Sequence, residues 1–284
     1  MPSAGGLEPD QGWSGRWGVL VKLPAVHPTD LYVVRHHAQS PGPPVVLVHG
    51  APDRSRNYAR VVHQLSDLSV TVYDRRGYGQ SLAAGAGGGG FDVHADDLIA
   101  LLDGNPSVVV GQSAGGAIAL AAAARAPELF LSLAMWEPPM TPWDWWPPSM
   151  RQQAAAWAQA EDTEALAEQF NRGILGDVRF EQLSDRTRSM LRAEGAAFRA
   201  DMASQDRPFA DLDRLTMPRI VGCGTVMPTD PTFVDLHRHT AERTGSELLV
   251  VEGADHSAHL SRPEAWVRLV RAAVELAGST ATST

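Results

Sequence analysis

The chain has 284 residues and carries 24 basic and 33 acidic side chains, a formal net charge of −9. An apolar fraction of 44% with 20% charged residues excludes a disordered chain, a fibrous repeat and a coiled coil. The dispersed acidic balance argues against nucleic acid as a partner, and the lone Cys223 excludes an intrachain disulfide or a cysteine zinc cluster.

In chain order, residues 17–23 and 31–36 read as strands. Residues 44–48 are a short apolar, β-branched run, the pattern of a strand buried on both faces. A helical period over 54–65 puts Tyr58, Val61, Val62 and Leu65 on one face. A strand at 70–73 ends at Asp74. Asp92 is placed as the cap of a helix that Gly104 ends. A strand at 108–110 runs into Gly111 and an alanine-rich helix to about 126, and a strand at 131–136 stops at Pro138 and Pro139.

The alternation then breaks. Residues 138–217 show helical periods at 149–160, 164–170 and 185–203 and no strand. It resumes with a strand at 219–223, a helix at 231–243 and a strand at 247–251. The last helix opens on a capping box, Ser261-Arg262-Pro263-Glu264, and closes at Gly278. This pattern predicts an α/β fold, a mostly parallel sheet with helices on both faces. Its core comprises residues 1–137 and 218–284, and 138–217 form a helical insertion. The N-terminus lacks a secretory pattern, and the longest apolar run, 117–124, is too short to cross a bilayer. The expectation is a soluble, cytoplasmic protein with no membrane partner; a homodimer stays open.

Gly111-Gln112-Ser113-Ala114-Gly115 fits a nucleophile elbow, in which a strained strand-to-helix turn exposes a serine and neighbouring chains leave no room for side chains two residues away. The entering strand Val108-Val109-Val110 and the helix that follows give the pattern its weight. A serine needs a base. His256 in Gly253-Ala254-Asp255-His256 follows the last strand, where strand ends on one edge of the sheet converge. His259 is its rival, but it precedes the last helix and reads as packing at the helix entry. His49-Gly50-Ala51-Pro52 follows an earlier strand, so the Ala51 and Ala114 amides are the candidate oxyanion donors. His237 and His239 stand two apart on a helix and face different ways, a poor metal pair. Residues 85–90 formally match a dinucleotide fingerprint, but they do not leave a strand directly and read as a loop.

Together the HGAP segment at 49–52, DRRGYGQS at 74–81, GQSAGG at 111–116, GADH at 253–256 and HLSRPEAW at 259–266 resemble the α/β-hydrolase superfamily. The resemblance covers about 230 residues. It implies the α/β-hydrolase fold, esterase-like serine hydrolase chemistry, and neither cofactor nor metal. The family's dehalogenases and epoxide hydrolases use an aspartate where Ser113 stands, which argues against those activities.

One departure matters. Where the family commonly places its acid, this chain has Met227, which cannot orient an imidazole. Glu137, at the end of the preceding strand, is the favoured substitute and Asp230 the alternative. The resemblance also makes the insertion a cap over the serine. Its opening residues Trp143 and Trp146 are the candidate contacts for a small to medium, largely apolar ester, lactone or related carbonyl compound. Non-hydrolytic chemistry on the same fold (C–C cleavage, elimination or cyclisation), or a ligand-binding protein with a decayed site, are the rival readings.

Overall fold

Short runs of β-branched residues build the centre of the molecule, described by a computed structural model for residues 30–84, 89–226 and 233–281. Among the described residues seven strands form one sheet: β1 (Val33–His36), β2 (Val45–Val48), β3 (Val70–Tyr73), β4 (Ser107–Gln112), β5 (Phe130–Trp136), β6 (Arg219–Gly224) and β7 (Glu247–Val251). Their spatial order is β1-β3-β2-β4-β5-β6-β7. Only β1 pairs antiparallel, at one edge; every other pairing is parallel. The predicted strand at 17–23 and residues 85–88 of the glycine-rich loop lie outside the described residues.

The side-chain period of two divides the central strands between two cores. Val46, Val48, Val109, Leu133, Met135 and Val221 pack on one face. Val45, Leu47, Val108, Val110, Ala134, Trp136 and Ile220 pack on the other. The second face is covered by α1 (Ala59–His63) and, at the end of the chain, by Trp266, Leu269, Val270 and Ala273. The first is covered by α2 (Gly90–Leu102) and α3 (Ala114–Arg125). The alanines of α3 are buried all round, so this helix lies close between the sheet and α2.

Residues 138–217 hold α4 (Pro148–Ala158), α5 (Thr163–Leu175), α6 (Asp177–Glu181), α7 (Asp185–Ala193) and α8 (Gly195–Ala203), with no strand among them. Ala154, Leu166, Phe198 and Met202 give these helices a small core of their own. Then come α9 (Phe233–Thr244), α10 (Ala258–Ser261) and α11 (Pro263–Ala281).

Four local expectations are corrected. Asp92 does not cap α2: the helix starts at Gly90, and the Asp92 carboxylate pairs with Arg125 and Arg207. The 185–203 helix is broken at Glu194 into α7 and α8. The capping box does not form, because Ser261 closes α10 instead of capping α11, which starts at Pro263; the Ser261 hydroxyl donates to Asp255 Oδ1 at 2.8 Å, and α11 runs past Gly278 to Ala281.

Parallel strands put their C-terminal ends on one edge. Register there places Val48 beside Gly111, Gln112 beside Trp136, Trp136 beside Gly222 and Gly224 beside Val251. The loops after β2, β4, β5, β6 and β7 therefore meet, as the α/β architecture requires of its binding edge.

Candidate active site

Ser113 sits on the turn between β4 and α3 at φ 51°, ψ −124°, a conformation an L-residue adopts only under constraint. The constraint is visible at the glycines. A Cβ on Gly111 would lie 2.4 Å from Gly115 O, and one on Gly115 would lie 2.3 Å from Val48 O. The turn is thus wedged against β2, and its strain is held by the packing of the whole edge. Ser113 N–H donates to Trp136 O at 2.8 Å, which continues the β4–β5 ladder through the turn.

Glu137 follows β5 with φ +47°, also in the left-handed region. Its N–H donates to Gly222 O at 2.9 Å, and its Oε1 accepts from Gly224 N–H at 2.9 Å. Its Oε2 lies 2.7 Å from His256 Nδ1. The carboxylate is 1% exposed and the imidazole 42%, so a sealed acid holds a ring that ligands can reach. Gln112 Nε2 steadies the same loop by donating to His256 O at 3.1 Å. Met227 and Asp230 lie outside the described residues.

His259 is placed differently. It is buried, stacks on Tyr58 at 4.6 Å with 13° between the rings, and pairs with Asp53. Nε2 lies 3.0 Å from Asp53 Oδ2, misaligned for a hydrogen bond but close enough for an ion pair. Burial by itself would raise the Asp53 carboxyl, but its contacts with His259, His49 and Asn57 together outweigh it and hold Asp53 well below the usual carboxylate range.

Ser113, Ala114, Glu137 and His256 line a cavity of about 420 Å³. Its far walls are Trp146, Met150 and Trp157 of the segment leading through α4, Phe170 of α5, Phe198 and Met202 of α8, and Phe233 of α9. Trp143 is outside it, with its ring edge-on to Phe209 at 4.7 Å. A second cavity of about 320 Å³ shares Ala51, Ser113, Phe170 and His256 and opens toward Asp53, Asn57, Asn171 and Thr187. Among the described residues, neither the Ala51 nor the Ala114 amide enters a turn or cap hydrogen bond.

Sequence reasoning missed the buried charges that join the helical insertion to the sheet edge. Asp201 of α8 pairs with Arg75 at 3.0 Å, and Glu194 pairs with Arg54 at 2.9 Å. The available signal was position: Asp201 falls on the apolar face of α8 with Ala197, Phe198 and Met202, where an unpaired carboxylate is not tolerated.

Glu194 carries a pH dependence. Burial pushes its carboxyl up to about 7, against the pull of Arg54 and the Gly79 N–H. The folded chain therefore holds this proton more tightly than the unfolded chain does. The stabilisation is complete below the ordinary glutamate value and is lost as pH rises through about 7. Going from pH 5 to pH 8 should remove up to about 3 kcal/mol through this group. Thermal unfolding checks it: Glu194→Gln should match wild type at pH 5 and exceed its Tm at pH 8, and equal curves at both pH values would contradict it.

The sequence profile of the alpha/beta hydrolase family matches residues 45–269, which is most of the chain. The chain belongs to the alpha/beta hydrolase family. Lipase LipV of Mycobacterium tuberculosis is 34% identical over 112 residues, 38% of this chain and 42% of that protein. The match thus spans only about two fifths of that relative's length. Among solved structures, the enol-lactonase of Burkholderia xenovorans LB400 superposes with a TM-score of 0.67 at 20% identity, covering 87% of this chain and 97% of that one. A thermophilic esterase from Thermogutta terrifontis gives 0.65 at 22% identity, covering 87% and 93%. At such identities the likeness is one of fold, and the hydrolase-family site must be argued from its own residues. No helix among the described residues of this family member is long and apolar enough to cross a membrane.

Proposed function

We propose that the chain is a serine hydrolase that cleaves a small to medium, largely apolar ester or lactone through an acyl-enzyme. The observation that carries this reading is the 2.7 Å contact between the sealed Glu137 carboxylate and His256 Nδ1, on the cavity that Ser113 also lines. Glu137 keeps the proton on Nδ1, which frees Nε2 to take the Ser113 proton as Oγ attacks the carbonyl. The Ala51 and Ala114 amides receive the oxyanion. His256 returns the proton to the leaving oxygen; it then activates the water that releases the acid and restores Ser113.

The aromatic and methionine walls of the 420 Å³ cavity support an apolar substrate portion, with Trp146 as the contact from the start of the insertion. On this reading residues 138–217 act as a cap, because α4, α5 and α8 roof the serine. The similar proteins include a lipase, an esterase and an enol-lactonase, which supports the same carbonyl chemistry here.

A fluorophosphonate probe, which an activated serine attacks with loss of fluoride to form a phosphonyl ester, tests it. Wild type should be labelled at Ser113, and Ser113→Ala should not be labelled. A folded wild-type protein that stays unlabelled would sink the proposal.

A further inference from the structure

Arg75 is wholly buried, although it belongs to no part of the proposed triad. Each arm of its guanidinium has one acceptor. Nε–H donates to His49 O at 3.0 Å, Nη2–H to Gly50 O at 2.8 Å and Nη1–H to Asp201 Oδ2 at 3.0 Å. Two of these acceptors are the carbonyls immediately before Ala51.

His49 adds a second hold on the same peptide. The Arg75 backbone N–H donates to His49 Nε2 at 2.8 Å, so that nitrogen is the acceptor and the ring proton resides on Nδ1. Nδ1–H then donates to Gly50 O at 2.7 Å. Burial, with Arg75 adjacent, lowers the imidazole to about 4, so it is neutral and keeps this tautomer. The Gly50 carbonyl thus accepts from both Arg75 and His49. The Gly50–Ala51 peptide is trans, the cis bond being Ala51–Pro52. In a trans peptide the carbonyl and the following N–H point in opposite directions. Holding Gly50 O against Arg75 therefore turns the Ala51 N–H away from it, and Ala51 lines both cavities that Ser113 lines.

A buried guanidinium needs a counter-charge. Asp201 supplies it and is itself saturated, accepting also from Tyr78 OH at 2.7 Å and facing His94 Nε2 at 2.9 Å. Asp201 belongs to α8, whose Phe198 and Met202 wall the larger cavity.

We propose that Arg75 is a positioning residue for the oxyanion site, clamping the Gly50 peptide so that the Ala51 amide faces Ser113. Asp201 of the insertion holds the clamp. The insertion is then a structural support of the oxyanion site as well as its roof. This rests on the serine hydrolase reading above. Lysine cannot replace the arginine, because only the planar fork reaches three acceptors in fixed directions.

The experiment compares wild type, Arg75→Lys and Asp201→Asn. The first readout needs no turnover: the ¹H–¹⁵N cross-peak of Ala51 and its exchange rate. It should shift strongly in Arg75→Lys and less in Asp201→Asn, which keeps every heavy-atom position. The second readout is kinetic, with p-nitrophenyl butyrate and with butylboronic acid, whose serine adduct is a tetrahedral anion. Arg75→Lys should lower kcat about 100-fold, in the range for a lost oxyanion donor, with KM within about twofold. Its boronate inhibition constant should rise by the same factor as kcat falls. Asp201→Asn should lose roughly tenfold. Wild-type kcat in folded Arg75→Lys, or an unmoved Ala51 cross-peak, overturns the clamp. So does a fall in activity matched by the fraction of sites that a fluorophosphonate titrates, since that is lost folding. If Arg75→Lys does not fold, Asp201→Asn decides by the same two readouts. If wild type neither turns over the ester nor takes the boronate, the hydrolase reading fails, and the Ala51 cross-peak still decides the clamp by itself.

Discussion

On the proposed mechanism, Glu137→Gln should lower kcat by about 10⁴-fold and leave KM within a few-fold. The reason is the proton on His256. Gly224 N–H donates to Oε1, so a glutamine here keeps its oxygen at that position and turns its NH₂ toward His256 Nδ1. Nδ1 must then accept, the ring proton moves to Nε2, and the nitrogen that should take the Ser113 proton is already occupied. The fold survives because size and the Gly224 bond are retained. Steady-state kinetics checks this with Asp230→Asn as the control, which should stay near wild type. A Glu137→Gln variant at wild-type rate would move the acid elsewhere, and a large loss in Asp230→Asn would name its place.

Asp201→Ala should cost about 3–5 kcal/mol of stability, the penalty for breaking a buried ion pair by removing one partner. The change strands the Arg75 guanidinium in a buried site and removes the acceptor of Tyr78 OH and the partner of His94. In thermal unfolding this corresponds to a drop of roughly 10 °C for a chain of this size. Adding Arg75→Met should recover much of that loss, since the stranded charge is then gone. It should not recover kcat, because the Gly50 carbonyl loses the Arg75 donor and keeps only His49. A single Asp201→Ala variant as stable as wild type would show that water enters and solvates Arg75.

The parts of the site that are legible in the sequence are those with local causes. Gly111, Ser113 and Gly115 announce an elbow because the turn's own backbone and the strand beside it forbid Cβ atoms at the two glycines. The continuous β-branched runs of β2 and β4 announce a sheet buried on both faces, since neither face has a polar period. His256 and Glu137 could be named as candidates because each follows a strand, and strand ends share an edge.

Contacts across the fold are not legible in this way. The capping box at Ser261 has the right residues, yet Ser261 closes α10 and does not cap α11, a break in the chain path that the local pattern does not show. Trp143 and Trp146 look equivalent in sequence. The chain path sends one against Phe209 and the other to the cavity. Arg75 and Asp201 stand 126 residues apart, and although Asp201 falls on the apolar face of α8, nothing local names Arg75 as its partner.

The sequence by itself determined the α/β order of elements, the alpha/beta hydrolase family and the serine on its elbow, because steric demands and hydrophobic period act over a few residues. Only the tertiary structure decided which carboxylate meets His256, which tryptophan reaches the cavity, and that a buried arginine holds the loop before Ala51. Those outcomes depend on directed polar contacts, effective over about 3 Å, between segments that the chain keeps far apart.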